Sequence, residues 1–225
     1  MAEVIVAFDL PSATEALNLA DRLPDLRWAK LGPVTFLDGG PALVRSFQDR
    51  GVQVFLDFKW HDIPSTVAEA VKAADRLGVS LVTVHALGGE AMMGAAVEAR
   101  HRVRLAAVTV LTSHTAQSFS AALGHSMLDL EAEVERLARV AAGSGADGVV
   151  CSAHEISTVR RVMPAGSWII VPGIRSPGAP ADDQRRTSEP GWAAAQGATH
   201  LVVGRPVREA KDPAEVYQAI CQDVV

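Results

Sequence analysis

The chain is poor in cysteine and carries no excess of positive charge. Among its 225 residues are two cysteines, Cys151 and Cys221, far apart and without metal-ligand spacing. A reduced, cytoplasmic compartment is the simplest expectation. Lysine and arginine number 21 against 26 aspartates and glutamates, for a net charge of −5. No basic face is evident, so nucleic acid is not an expected partner. No apolar run approaches the length that crosses a bilayer, and no membrane partner is expected. The opening Glu3-Val-Ile-Val-Ala-Phe-Asp9 has no basic n-region and no apolar core long enough for a signal peptide. There is also no linker or low-complexity tract, so residues 1–225 are expected to form a single domain.

What is present is a repeating pattern. Hydrophobic residues make up 48% and charged residues 21%, as in a globular protein. Short apolar runs are expected as strands at Val4–Phe8, Trp28–Leu31, from Val54, Leu81–His85, Arg104–Leu111, Gly148–Cys151, Trp168–Val171 and His200–Arg205. Helical patterns fall between them, at Ser12 to about Leu23, Pro41–Arg50, Pro64–Leu77, Glu90–His101, Asp129–Ala142, His154–Val162, Glu189–Gln196 and Pro213–Cys221. Ser12 with Glu15 reads as a capping box, and Gly51, Gly78 and Gly197 as stops. Continuous apolar strands such as Trp168-Ile-Ile-Val171 suit a parallel sheet covered on both faces. Eight such units in a chain of this length predict an α/β fold, a compact (β/α)8 TIM barrel. An open doubly wound sheet is the alternative. Its usual Gly-x-Gly-x-x-Gly after the first strand is missing, since Asp9-Leu-Pro-Ser-Ala-Thr14 stands there.

The stretch Val54–Val67 stands out. Its strand carries Asp57 and Lys59 two positions apart, which alternation places on one face, with Asp62 close behind. Unpaired buried charge costs several kcal/mol, so an Asp/Lys pair on an apolar strand points to a site or a buried ion pair rather than filler. In a barrel the C-terminal strand ends build the active site. Those ends supply Asp9, Lys30, Asp57 with Lys59, His85, Thr112, Pro172-Gly173 and Gly204-Arg205. The aspartates and lysines can neutralise one another as an alternating network. No His or Cys cluster supplies a transition-metal site. Asp57 and Asp62 could hold Mg²⁺, but two lysines would compete with it, so no metal and no cofactor is expected. The seventh and eighth strand ends suit a phosphate: Gly173 and Gly204 let backbone N–H groups approach an anion, and Arg205 offers a planar fork. Gln184, in the Arg175–Thr187 loop, could orient a polar ligand, and the loop is long enough to close over it.

Asp57-Phe-Lys-Trp-His-Asp62-Ile-Pro-Ser-Thr66 resembles the Asp-x-Lys-x-x-Asp-Ile-Pro-x-Thr signature of the orotidine 5′-monophosphate decarboxylase family. The resemblance runs along the whole chain. It takes in Ala7-Phe-Asp9, Lys30-Leu-Gly, Val108-Thr-Val-Leu-Thr-Ser113, Pro172-Gly-Ile-Arg175, Asp183-Gln-Arg-Arg186 and Val203-Gly-Arg-Pro206. It implies a homodimer that converts orotidine 5′-monophosphate to uridine 5′-monophosphate and CO₂ without metal or organic cofactor. It further implies that Asp62, Ile63 and Thr66 reach into the partner's site, and that Asp9 and Lys30 bind ribose hydroxyls. Thr112 would contact the pyrimidine, Gln184 would bridge base and phosphate, Gly204 and Arg205 would hold the phosphate, and Arg175 would lie at the base of the loop. Lys59, flanked by Asp57 and Asp62 and joined by Lys30, is the candidate catalytic group. A Mg²⁺-dependent decarboxylase or aldolase of ketose phosphates is the nearest alternative, and a non-catalytic phosphate-binding barrel is a third.

Other residues have plainer readings. His85 is expected to be structural, and Trp60 and His61 to pack or face solvent. Met92 and Met93 read as helix packing, Cys151 as a small buried hydrophobe, and Arg185-Arg186 as solvated loop charge.

Overall fold

The computed structural model describes residues 2–175 and 186–224. Eight strands lie side by side in chain order: β1 (Glu3–Ala7), β2 (Trp28–Leu31), β3 (Gln53–Trp60), β4 (Leu81–His85), β5 (Arg104–Val108), β6 (Gly148–Val150), β7 (Trp168–Val171) and β8 (His200–Val203). Each pairs in parallel with the next, and β1 also pairs with β8, from Glu3 opposite His200 to Val6 opposite Val203. The sheet is therefore a closed barrel, and the open-sheet alternative falls away. Ile5, Ala7, Trp28, Phe55, Leu81, Ala106, Ile170 and Val202 fill the interior. Their neighbours along the strands, such as Val4, Val6, Val54 and Leu56, pack against the helical shell. Burial on both faces explains why these strands read as continuous apolar runs.

The shell holds α1 (Ala13–Ala20), α2 (Pro33–Gln48), α3 (Pro64–Leu77), α4 (Gly89–Ala99) and α5 (Ala116–Ala122). It continues with α6 (Leu130–Ser144), α7 (Ile156–Val162), α8 (Pro190–Ala195), α9 (Arg205–Arg208) and α10 (Pro213–Asp223). Ser12 caps α1 by accepting the Glu15 N–H, and Pro64 occupies the first turn of α3. Gly78 ends α3 at φ 75°, the left-handed conformation that glycine adopts without a Cβ penalty.

Three helices depart from expectation. α2 is two helical segments joined at a kink where Gly40 (φ 52°, ψ −152°) is non-helical; the second is the helix expected from Pro41, and the first, from Pro33, was not expected. α5 lies inside the polar stretch after β5, with a capping box between Thr115 and Ser118. α9 follows β8 directly. β5 and β8 stop at Val108 and Val203, earlier than their apolar patterns suggested, which leaves the polar residues beyond them on the rim. Among the described residues, no helix is long and apolar enough to cross a membrane.

Gly148 permits a close approach between β6 and β7. A Cβ there would stand 2.4 Å from the Trp168 carbonyl oxygen and 2.7 Å from the Trp168 Cβ. Gly148→Ala is expected to lower unfolding free energy by about 1–3 kcal/mol through overpacking. Gly143→Ala, with open space at an exposed position on α6, should raise it by up to about 1 kcal/mol. Urea midpoints of the two variants check the contrast, and equal midpoints would contradict it.

Candidate active site

At the C-terminal mouth of the barrel lies a cavity of about 480 Å³. Ala7, Phe55, Val108, Ile170 and Val202 are among the apolar groups that line it. Around them stand Asp9, Lys30, Asp57, Lys59, Thr112, Pro172, Gly173, Arg175, Gly204 and Arg205. Ten of the residues singled out from sequence thus come together. Asp62, Ile63 and Thr66 do not: all three are exposed and lie outside this cavity's lining, and the Asp62 carboxylate accepts the Ile63 N–H at 2.6 Å. Gln184 lies outside the described residues.

The four charges nearest β1, β2 and β3 form a continuous chain. Lys30 Nζ is 2.9 Å from Asp9 Oδ1 and 3.3 Å from Asp57 Oδ2. Lys59 Nζ is 2.9 Å from Asp57 Oδ1. Burial alone would raise the Asp57 pKa, but Lys30 and Lys59 overcome it and hold the carboxyl below its ordinary range. For Lys30, burial pulls the pKa down, and Asp57 and Asp9 more than restore it, so the ammonium sits above the usual lysine value. Both groups are held in their charged forms.

The geometry around Lys59 differs from simple strand alternation. β3 changes register against β4 between Leu56 and Trp60, and Lys59 has φ 50°. Asp57 and Lys59 both line the cavity, but a bulge brings them together. Phe58 turns outward and packs edge-on against Phe36 and Trp60. Below the pair, the Thr83 hydroxyl accepts the Lys59 backbone N–H and donates to Asp57 Oδ1.

Across the mouth, Gly173 has φ 76°, a conformation that favours glycine. Gly204 differs: its φ is −112°, and a Cβ there would meet Ala7 at an ordinary 3.6 Å. The Arg175 Nη1 donates to the Ile174 carbonyl at 2.9 Å. Several contributors were not legible from sequence. Gly32 is one, since a Cβ at that position would lie 2.7 Å from Asp9 Oδ1. Arg208 lines the cavity and donates to the Asp9 carbonyl. Arg186, read as solvated loop charge, is instead well buried, paired with Glu155, and donates to the carbonyls of Val110 and Leu111 at 3.0 Å each. It ties the chain at residue 186 to the segments that follow β5 and β6, partners too distant in sequence to be foreseen.

The plainer readings hold elsewhere. Met92, Met93 and Cys151 are buried, and burial pushes the Cys151 thiol up to about 12. The His85 Nδ1 accepts the Leu87 N–H, and its ring stacks on His61. Burial, with His61 and Lys59 nearby, lowers the His85 pKa to about 4, so it is neutral at physiological pH. Among the described residues, no group of three or more His, Cys, Asp or Glu is placed to hold a metal ion.

A family model described as Orotidine 5′-phosphate decarboxylase / HUMPS family matches residues 2–220. The orotidine 5′-phosphate decarboxylase of Alkalilimnicola ehrlichii is 50% identical over 217 residues, 93% of this chain and 91% of the relative. That of Halorhodospira halophila is 46% identical over 226 residues, 98% of this chain and 95% of the relative. Among solved structures, orotidine 5′-phosphate decarboxylase from Lactobacillus acidophilus superposes with a TM-score of 0.87 at 32% identity, covering 100% of this chain and 99% of that one.

The depressed Asp57 pKa sets a pH dependence. A carboxyl whose folded pKa lies below its unfolded value adds stability above the unfolded pKa, near 3.8 here, and loses it as pH falls through the folded pKa. The difference in unfolding free energy between parent and Asp57→Asn is therefore expected to shrink on acidification from about pH 5 to about pH 2. Urea denaturation of both proteins across that range measures it, and a constant difference would contradict the assignment.

Proposed function

The chain belongs to the Orotidine 5′-phosphate decarboxylase / HUMPS family, and from that premise we propose that it converts orotidine 5′-monophosphate to uridine 5′-monophosphate and CO₂ in pyrimidine biosynthesis. The whole of 1–225 is read as one decarboxylase domain. The observation that carries the reading is the unbroken Asp9–Lys30–Asp57–Lys59 charge chain beside an arginine- and glycine-lined pocket end.

Breaking the C6–carboxylate bond releases CO₂ and leaves an electron pair in the plane of the pyrimidine, where the π system cannot delocalise it. The protein must stabilise this carbanion electrostatically and then protonate it. A fixed ammonium does both, and Lys59 is the group assigned that task. Opposite unit charges about 4 Å apart attract by roughly 4 kcal/mol at an effective dielectric near 20. The Lys59 proton passes to C6, and solvent restores it. Asp57, held ionised, aims Lys59 and stands beside the departing carboxylate. Lys30 and Asp9 bind the ribose hydroxyls, with Lys30 also completing the network. Thr112 and Pro172 contact the pyrimidine side of the ligand. Gly204, Arg205 and Arg175 take the phosphate end, far from the reacting carbon, so that grip contributes binding energy to the transition state.

Asp62, Ile63 and Thr66 are read as serving the partner's site in a homodimer. Their exposure at the start of α3, Ile63 at 64%, and their position outside their own cavity support this reading. No metal or cofactor enters the scheme, because two ammonium groups in the pocket oppose a bound cation.

EDTA-treated protein is expected to abolish the substrate's ultraviolet signature. No turnover, or turnover only with added Mg²⁺, would sink the reading. Lys59→Ala should retain uridine monophosphate binding while kcat falls at least about a thousandfold; an unchanged rate would remove Lys59 from its role. For the dimer, mixing Lys59→Ala with Asp62→Ala should regenerate activity, since one site in each heterodimer keeps both groups. Absence of rescue after confirmed subunit exchange would place Asp62 in its own chain's site.

A further inference from the structure

β3 and β4 are in register at Leu56 opposite Val82 and again at Trp60 opposite Val84. Asp57, Phe58 and Lys59 therefore face a single residue, Thr83. Surplus residues in a ladder lose their regular strand partners. A non-glycine residue at positive φ is strained and persists where its surroundings impose it. At Lys59, Thr83 supplies that imposition: its hydroxyl accepts the Lys59 N–H at 2.9 Å and donates to Asp57 Oδ1 at 3.0 Å.

Thr83 is wholly buried, two residues along β4 from the interior Leu81. Packing alone would be met by valine, which has the same shape and no polar group to satisfy. A hydroxyl has a single proton to donate, and this one goes to the carboxylate between the two lysines. Of the other buried threonines, Thr35 and Thr109 bond the backbone, and Thr158 donates to the Glu131 carboxylate, outside the cavity lining. The Thr35 hydroxyl stands against the carbonyls of Phe8 and Leu10 with one proton for the two, and Thr109 donates to that of Val150.

We propose that Thr83 is a positioning residue for the decarboxylation, its single hydroxyl fixing the directions of the Lys59 ammonium and the Asp57 carboxylate together. This rests on the decarboxylase reading above. Without the hydroxyl the bulge is free to relax, and a displacement near 1 Å can cost about 100-fold in rate. The phosphate end, at β7 and β8, does not depend on it, so substrate binding should persist.

The test is steady-state kinetics of parent, Thr83→Val and Thr83→Ser with orotidine 5′-monophosphate across pH. Thr83→Val is expected to lower kcat about 10- to 100-fold with KM within about threefold. The acid limb of its pH profile should move upward, because Asp57 loses a hydrogen bond that favours its charged form. Thr83→Ser, which keeps the hydroxyl, should recover kcat to within about threefold of the parent. Thr83→Ala is a second hydroxyl-free variant with the same expectation should Thr83→Val not fold. Parental kcat in the hydroxyl-free variants, equal impairment of Thr83→Ser, or a loss confined to KM would overturn the inference while leaving an active parent as a decarboxylase. A parent without turnover would overturn both.

Discussion

Asp57 lies between two ammonium groups, and the rest of the barrel mouth is arranged around that contact. A buried carboxylate is costly by itself, and so is a buried ammonium. Asp57 and Lys30 remain ionised because each offsets the other's desolvation, with Asp9 and Lys59 extending the chain in both directions. Neighbouring positions are constrained in turn. Gly32 leaves room for the Asp9 carboxylate, and β3 departs from regular geometry so that Lys59 can reach back to Asp57. These features form one electrostatic unit rather than a set of separate contacts.

The mouth also has a polarity. On the side of β1, β2 and β3 the charges alternate and cancel. On the side of β7 and β8 the lining carries three arginines, Arg175, Arg205 and Arg208. The two regions meet where β8 pairs with β1 in the closed sheet, and Arg186 braces the remaining arc through contacts just beyond β5 and β6. Closure of the barrel fixes the spacing between the charge chain and the arginine-lined end.

Much of the fold was legible because parallel strands buried on both faces leave an unmistakable apolar signature, and because Pro64 and Gly78 mark the limits of α3. Gly40-Pro41 has the composition of a breaker and does interrupt α2, which made the segment from Pro41 legible, whereas the segment from Pro33 follows β2 with no comparable mark. α5 was hidden by its serine content. For the site, residues at strand ends were found because a barrel dictates where strand ends point. Thr83, Gly32 and Arg186 were missed because each acts through a neighbour distant in the chain. The bulge was missed for another reason: alternation gives a sufficient account of Asp57 and Lys59 until the register against β4 is known.

The left-handed backbone at Lys59 has a consequence for how this site can drift by mutation. Side chains branched at Cβ are nearly excluded from that conformation, while asparagine, aspartate and glycine tolerate it best. Position 59 is therefore filtered first by torsion and only afterwards by charge. A change to a Cβ-branched residue fails at the first filter, and one to asparagine passes it but leaves the pocket without its ammonium. Few single replacements pass both filters, so the neighbourhood of Lys59 in sequence space is sparsely connected.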